Sequence, residues 1–259
     1  MPFNEYNGLR FYQFDSFQIR HAVFTRHGGV SPEPWNSLNL GGTVGDEVER
    51  VRKNRFLSFD ALGCRPESIF DVWQVHSADA VCADAPRKTD EPYQKADIIL
   101  TDRPNVTLFM RFADCVPILV HDPKKGVVGI SHAGWLGTVR DVAGATVDTM
   151  RERYDSDPSD IIACIGPSIG PDHYEVGEDV IAQVRQAFGT DSDLVLQSHN
   201  TKIHFDLWKA NRYLLERAGV SQIELAGICT ACHTDDWFSH RAEKGTTGRF
   251  GALVSLSPR

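Results

Sequence analysis

The centre of the chain reads Ala113-Asp114-Cys115-Val116-Pro117, and after two apolar stretches around a DPKKG turn it reads Ser131-His132-Ala133-Gly134-Trp135. Two short strands joined by that turn form a hairpin. Its open end brings Cys115 and His132 together, although 17 positions separate them in the chain. A helix is expected to start after Ala133-Gly134, and a helix start offers free backbone N–H groups and the positive end of the dipole. A cysteine placed there has a stabilised thiolate, suited to a nucleophile or to a metal ligand. Upstream, Trp73-Gln74-Val75-His76 closes another strand-like run, so His76 supplies a third ligand. Two imidazoles and one thiolate fit zinc with an open fourth position, the arrangement of a catalytic site. They also fit copper. Any one of these residues is more often structural; the trio gains force from sitting at strand ends beside glycines.

Other patterns carry less. Cys229-Thr230-Ala231-Cys232-His233 has the C-x-x-C-H form of a haem attachment site. Covalent haem follows export, however, and the N-terminal MPFNEYNGLR has no apolar core, so no export is expected. No second C-x-x-C follows to complete a structural zinc site, and a pair of partly buried thiols near a strand end is expected instead. His173-Tyr174-Glu175 with Cys229 and Cys232 mimics the H-x-E and P-C-x-x-C signature of zinc nucleobase deaminases. Ile228 stands where the proline belongs and the gap is long, so the match reads as accidental. Arg26-His27-Gly28-Gly29 and Gly166-Pro167-Ser168-Ile169-Gly170 are neither a Walker A nor a dinucleotide fingerprint. They are tight turns or places of close backbone approach to a ligand. Arg241 and Arg249, near a Gly-Thr-Thr-Gly run, are placed to grip a phosphate or carboxylate.

Short runs rich in Val, Ile and Phe predict strands at His21–Thr25, Ile69–Val75, Ala96–Thr101, Val106–Phe112, Pro117–His121, Val127–Ser131, Ile161–Ile165, Ile203–Leu207, Gln222–Ile228 and Phe250–Leu256. Four helical patterns lie between them. One is capped by Asp46 and ends near Gly63. The others are Leu136–Tyr154, Glu178–Phe188, and one capped by Asp206 that runs to Ala218 with Gly219 beyond its end. Strands outnumber helices without alternating with them, which favours an α+β layered sandwich.

The 259 residues predict one to two domains at about 150 residues each. No linker-like tract divides them, so one domain over 1–259 is expected. The net charge of −8 argues against a nucleic-acid backbone as partner but not against a small anion met by local arginines. No apolar run approaches the roughly 20 residues that span a bilayer. Six dispersed cysteines suit a reducing compartment, and a cytoplasmic protein is expected.

Several segments, in this order, resemble the YfiH-like family, also called the laccase-domain or polyphenol-oxidase family and regarded as purine nucleoside phosphorylases. They are TRHGGVSPEPWNSLNLGG and its continuation to Arg55, WQVHSADAV, ADIILTDRPNVTLFMRFADCVPIL, VVGISHAGWLGTV, IGPSIGPDHYEVGEDV and CTACHTDDWFSHRAEKGTTGRF. The resemblance runs from about residue 20 to the end of the chain. It implies an α+β single-domain, four-layer α/β/β/α sandwich of the cysteine-hydrolase-like type. It also implies a zinc, with copper as the alternative, held by His76, Cys115 and His132, the trio that spacing singles out.

Implied activities are phosphorolysis of adenosine, inosine and methylthioadenosine, and adenosine deamination. The expected partners are purine nucleosides and inorganic phosphate, with no nucleic acid or membrane, in a monomer or homodimer. Cys115, His132, His76 and Asp114 are then the catalytic residues, and Arg26, Asn39, Arg241 and Arg249 bind substrate. The chain departs from the family at two points. Leu136 replaces the Arg of H-A-G-W-R-G, and Ser239-His240-Arg241-Ala242 replaces S-Y-R-R. Each removes a positive group that helps hold an anion.

Two other reaction classes fit the same residues. A copper phenol oxidase fits the ligand set, but 10 histidines without one H-x-H pair do not furnish a multicopper cluster. A cysteine hydrolase or amidase would use Cys115 as nucleophile and His132 as base.

Overall fold

The computed structural model describes residues 2–199 and 201–256; the remainder of the expected 1–259 domain lies outside the described residues. In chain order the strands are β1 (Phe3–Tyr6), β2 (Leu9–Tyr12), β3 (Arg20–Phe24), β4 (Ile69–Phe70), β5 (Ala80–Cys82), β6 (Ile98–Thr101), β7 (Thr107–Phe112), β8 (Val116–Asp122), β9 (Val127–Ala133), β10 (Ile162–Ile165), β11 (Leu196–His199), β12 (Lys202–Phe205), β13 (Gln222–Leu225) and β14 (Phe250–Ser255). The helices are α1 (Val48–Ala61), α2 (Trp135–Val139), α3 (Val142–Tyr154), α4 (Glu178–Phe188), α5 (Ser192–Val195) and α6 (Leu207–Arg217).

The fold is mixed α/β. One six-stranded sheet has the order β1-β2-β3-β14-β7-β4, a second has β13-β10-β8-β9-β6-β5, and β11-β12 form a small hairpin. Most pairs are antiparallel. Alternation along each strand decides what packs where. Leu119 of β8 and Val128 and Ile130 of β9 meet Leu108, Met110, Phe112 and Ala252 of the other sheet. Ile118 and Val120 face the opposite way, onto Val142, Val147 and Met150 of α3 and Leu214 of α6. Phe109 and Leu253, pointing out of the first sheet, pack with Phe59 of α1. All seven residues of β8 and of β9 are buried, as expected for central strands covered on both faces.

The expected elements recur with shifted ends. Glu178–Phe188 is helical at those bounds. The Asp206 side chain accepts from the Lys209 N–H at 3.0 Å and opens α6, which ends before Gly219 at φ +99°. That cap also stops β12 at Phe205. The expected Leu136–Tyr154 helix is two helices, because Asp141 adopts a left-handed conformation and caps α3 by accepting from the Gly144 N–H. The Ile69–Val75 strand keeps only Ile69–Phe70; beyond it, Trp73 makes an isolated bridge to Lys95. The N-terminal hairpin β1–β2, turning at Asn7-Gly8 with positive φ at both, was not among the predicted elements, although an Asn-Gly pair is a strong hairpin signal.

Candidate metal centre

Register places the centre. In the β8–β9 hairpin Val116 pairs with Ala133 and Pro117 with His132, so Cys115 and Gly134 leave the hairpin side by side. The segment Trp73–His76 is held alongside by Gln74. Its Nε2 donates to the Arg111 carbonyl at 2.8 Å, and its Oε1 accepts from the Arg111 N–H at 3.1 Å. The result brings His76, Cys115 and His132 together, with one ligand atom from each inside 4.8 Å of the others. His76 Nε2 lies 3.9 Å from Cys115 Sγ. Two of the supporting residues are backbone outliers: His76 has φ +60° and Asp114 has φ +80°. Left-handed non-glycine residues of this kind persist where surrounding structure over-determines them, and they concentrate at functional sites.

Gly134 completes the cradle. A Cβ there would stand 2.8 Å from His76 Cδ2 and 2.9 Å from Cys115 Sγ, so only glycine fits beside the ligand atoms. Two imidazoles and a thiolate converging in this way suit a metal ion.

Behind the trio stands Asp97, fully buried. Its Oδ1 accepts from His132 Nδ1 at 2.8 Å. Its Oδ2 accepts from the N–H of Val75 at 3.0 Å, the N–H of Ser77 at 2.6 Å and the hydroxyl of Ser77 at 3.1 Å. Asp97 thereby fixes Nδ1–H on His132 and turns Nε2 toward Cys115, as outer carboxylates do for metal-bound histidines. Burial raises the Asp97 carboxyl, but its bonds to His132, Ser77 and Val75 outweigh this and hold it below the usual range. In the sequence Asp97 shows only as one acid opening an apolar strand, and spacing does not single it out.

In the metal-free chain the charges separate. Burial pushes the Cys115 thiol up, but His132 and His76 overcome this and bring it to about 6. Burial pushes His132 down, but Cys115 and Asp97 raise it to about 9. Both shifts favour a thiolate on Cys115 and an imidazolium on His132. The expected helix-dipole contribution is slight, because α2 has five residues; the thiolate is stabilised by the imidazoles instead.

The other expected site residues are distributed unevenly. Asp114 is buried, and its carboxylate accepts from Thr230 Oγ1 and the Arg241 N–H, both at 2.7 Å. It pins two loops beside Cys115. Arg249 lies close enough for the charges of Cys115 and Asp114 to act on it. Asn39 is wholly buried; its Oδ1 accepts from the N–H groups of Arg249 and Gly41, both at 2.9 Å, so it positions the Arg249 backbone. The Arg241 guanidinium lies 4.9 Å over the Tyr174 ring and donates to the Glu175 carbonyl at 2.9 Å. Burial raises the Tyr174 hydroxyl, with the Cys115 charge second, which places this ring at the edge of the centre.

Arg26 is buried and engaged internally, with Asn36, the Thr234 carbonyl and Glu243. The cysteine pair also differs from expectation. Cys229 is buried, Cys232 is exposed, and His173 joins them.

A cavity of about 500 Å³ sits against His121 and Lys125, at the turn end of the β8–β9 hairpin, away from the trio. The convergent ligands, not this concavity, mark the candidate centre.

Residues 20–257 match the family described as multi-copper polyphenol oxidoreductase laccase. A protein of Deinococcus radiodurans named purine nucleoside phosphorylase is 38% identical over 97% of this chain and 95% of its own. One of the same name from Bacteroides thetaiotaomicron is 36% identical over 89% of each chain. The crystal structure of the Bacillus licheniformis hypothetical protein YfiH superposes with a TM-score of 0.92, at 34% identity and 99% coverage of both chains.

Proposed function

The chain belongs to the YfiH-like, laccase-domain family, and on that premise we propose that it is a zinc-dependent purine nucleoside phosphorylase. The substrates proposed are adenosine, inosine and methylthioadenosine, and adenosine deamination is a second proposed activity of the same centre. The observation that carries the reading is the convergence of His76, Cys115 and His132 around Gly134, in a chain similar to proteins named purine nucleoside phosphorylase.

In phosphorolysis a phosphate oxygen forms a bond to C1′ of the ribose. The C1′–N bond breaks, and its electron pair leaves with the purine, which takes up a proton. Bound zinc, held by His76, Cys115 and His132, would supply Lewis acidity. Arg249 and Arg241 would hold the phosphate dianion through charge-assisted bonds. Asn39 supports Arg249, and Asp114 supports Arg241, each through a backbone N–H. Arg26, taken as substrate-binding from the resemblance, acts on this geometry by tying residues 36 and 234 together. Without the family's Arg at 136 and second Arg at 242, more of the phosphate charge falls to Arg249 and Arg241.

The same proposal takes 1–259 as one domain and stacks the two sheets between helical layers as an α/β/β/α sandwich of the cysteine-hydrolase-like type. It also takes the enzyme to be cytoplasmic, a monomer or homodimer, without nucleic-acid or membrane partners. Among the described residues no helix is long and apolar enough to cross a membrane.

The test is incubation of zinc-loaded protein with each nucleoside, with and without phosphate. Phosphate-dependent free base and ribose 1-phosphate, or methylthioribose 1-phosphate, support the reading; inosine from adenosine supports deamination. Absence of all of these products overturns it. A cysteine hydrolase is a second reading, supported by the Cys115–His132–Asp97 series and its charge separation. A Cys115→Ser protein that keeps its metal and loses activity favours it; loss of the metal favours the ligand role. Copper phenol oxidation, the activity in the family's description, would require protein purified without added copper to carry copper rather than zinc.

A further inference from the structure

A second cluster of metal-capable groups stands apart from the trio. His173, Cys229 and Cys232 bring one ligand atom each within 4.8 Å of the others, and they share no residue with the first centre. His173 Nδ1 lies 3.8 Å from Cys229 Sγ and 3.5 Å from Cys232 Sγ. A tetrahedral zinc with Zn–S of about 2.3 Å and Zn–N of about 2.0–2.1 Å sets its S···N edges at about 3.6 Å. The two separations therefore match the edges of one zinc tetrahedron.

Three further features fit a bound cation. The Gly170 N–H donates to Cys229 Sγ at 3.1 Å, the contact that steadies a buried thiolate. Asp172 Oδ2 lies 3.6 Å from His173 Nδ1 and 4.0 Å from Cys232 Sγ, so a carboxylate stands beside the cluster, outside the set whose ligand atoms are mutually within 4.8 Å. The cluster also joins two chain segments. Ser168 bridges Cys229, through the Ser168 N–H to the Ile228 carbonyl at 3.1 Å and the Thr230 N–H to the Ser168 carbonyl at 3.0 Å. The Cys229-x-x-Cys232 turn is closed by the His233 N–H on the Cys229 carbonyl at 3.2 Å.

We infer that His173, Cys229 and Cys232 form a second zinc site, with Asp172 beside it to balance the charge of the ion. Two soft thiolates with an imidazole select zinc over hard cations. On binding, two Zn–S bonds form and two thiol protons leave to solvent. Two thiolates and an imidazole from two segments make the site a fastener between them. The ion would fasten the segment carrying Tyr174 to the one carrying Thr230, and both touch the first centre, through the Arg241–Tyr174 stack and the Thr230–Asp114 bond. The inference does not depend on the reaction proposed above.

The test counts zinc by mass spectrometry in reduced protein dialysed against micromolar zinc. Wild type should hold about two equivalents per chain, and Cys232→Ser and His173→Gln about one each. Both positions are exposed, so these replacements leave the core intact. In a Cys115→Ser background one zinc should remain, and adding Cys232→Ser should remove it. Cobalt should report the same site by thiolate charge-transfer absorption that is lost in His173→Gln and Cys232→Ser. Wild-type stoichiometry that is unchanged in both variants overturns the inference. So does a Cys229–Cys232 disulfide whose reduced form takes no second zinc.

Discussion

Replacing Asp97 with Asn tests the reasoning at its tightest point. Three donors, the N–H groups of Val75 and Ser77 and the Ser77 hydroxyl, converge on Oδ2. In Asp97→Asn the amide oxygen must stay with those donors, so the NH2 group turns to His132 Nδ1. That nitrogen then has to accept, so Nδ1 gives up its proton and the neutral ring keeps its proton on Nε2, the nitrogen that faces the metal centre. Loss of such an outer partner costs about 10–100-fold in metal affinity, or about 1.4–2.7 kcal/mol. Breaking a buried charge-assisted bond also lowers the stability of the metal-free chain by about 1.5–3 kcal/mol.

Zinc affinity is read by competition with a chromophoric chelator, and stability by urea unfolding of the metal-free protein. A third measurement separates positioning from bulk stability. His132 becomes less basic without Asp97, so the Cys115 thiol rises above about 6, and the pH midpoint of Cys115 alkylation in metal-free protein moves up. A folded Asp97→Asn protein with wild-type zinc affinity and an unmoved alkylation midpoint would refute the reasoning.

Three further outcomes are expected. Gly134→Ala forces a methyl to within 3 Å of His76 and Cys115; it should destabilise the chain by about 1–3 kcal/mol and weaken zinc binding in the same chelator assay. Arg249→Met should raise the phosphate KM roughly 10–100-fold, the equivalent of one charge-assisted bond, with a smaller change in the nucleoside KM; steady-state kinetics check both. His21 is buried neutral, with Nδ1–H donating to the Ile19 carbonyl and Nε2 accepting from the Phe14 N–H, both at 2.8 Å, and burial holds it below its ordinary 6.5. Below about pH 6.5 the unfolded chain takes a proton that the folded chain refuses. Stability is therefore full above that pH and falls by up to about 1.4 kcal/mol per pH unit as pH drops toward the folded value. Urea midpoints at pH 7.5 and 5.5 should show a shallower fall in His21→Gln.

Local patterns were legible in the sequence where one segment suffices. The β8–β9 hairpin follows from two apolar runs and a DPKKG turn, and with it the meeting of Cys115 and His132. The bounds of α4 and the Asp206 cap follow from helical periodicity and capping chemistry. The family was reached separately, through the resemblance of segments such as ADCVPIL and SHAGW, and the match over residues 20–257 agrees with it. What the local patterns left out are features that depend on distant segments meeting. Asp97 is one acid in an apolar strand until β6 pairs with β9 and sets it against His132. His173 lies 56 positions from Cys229 and paired with it in the sequence only as an accidental deaminase-like match; the bridge at Ser168 and the Gly170 N–H on Cys229 Sγ carry its loop to the C-x-x-C turn. Arg26 reads from the sequence as a substrate-binding residue, yet the fold surrounds it with carbonyls and Glu243. Residue type and spacing thus singled out which groups could carry chemistry. Only the tertiary structure decided which partners each one meets, because burial and hydrogen bonding are set across strands and loops that local sequence does not couple.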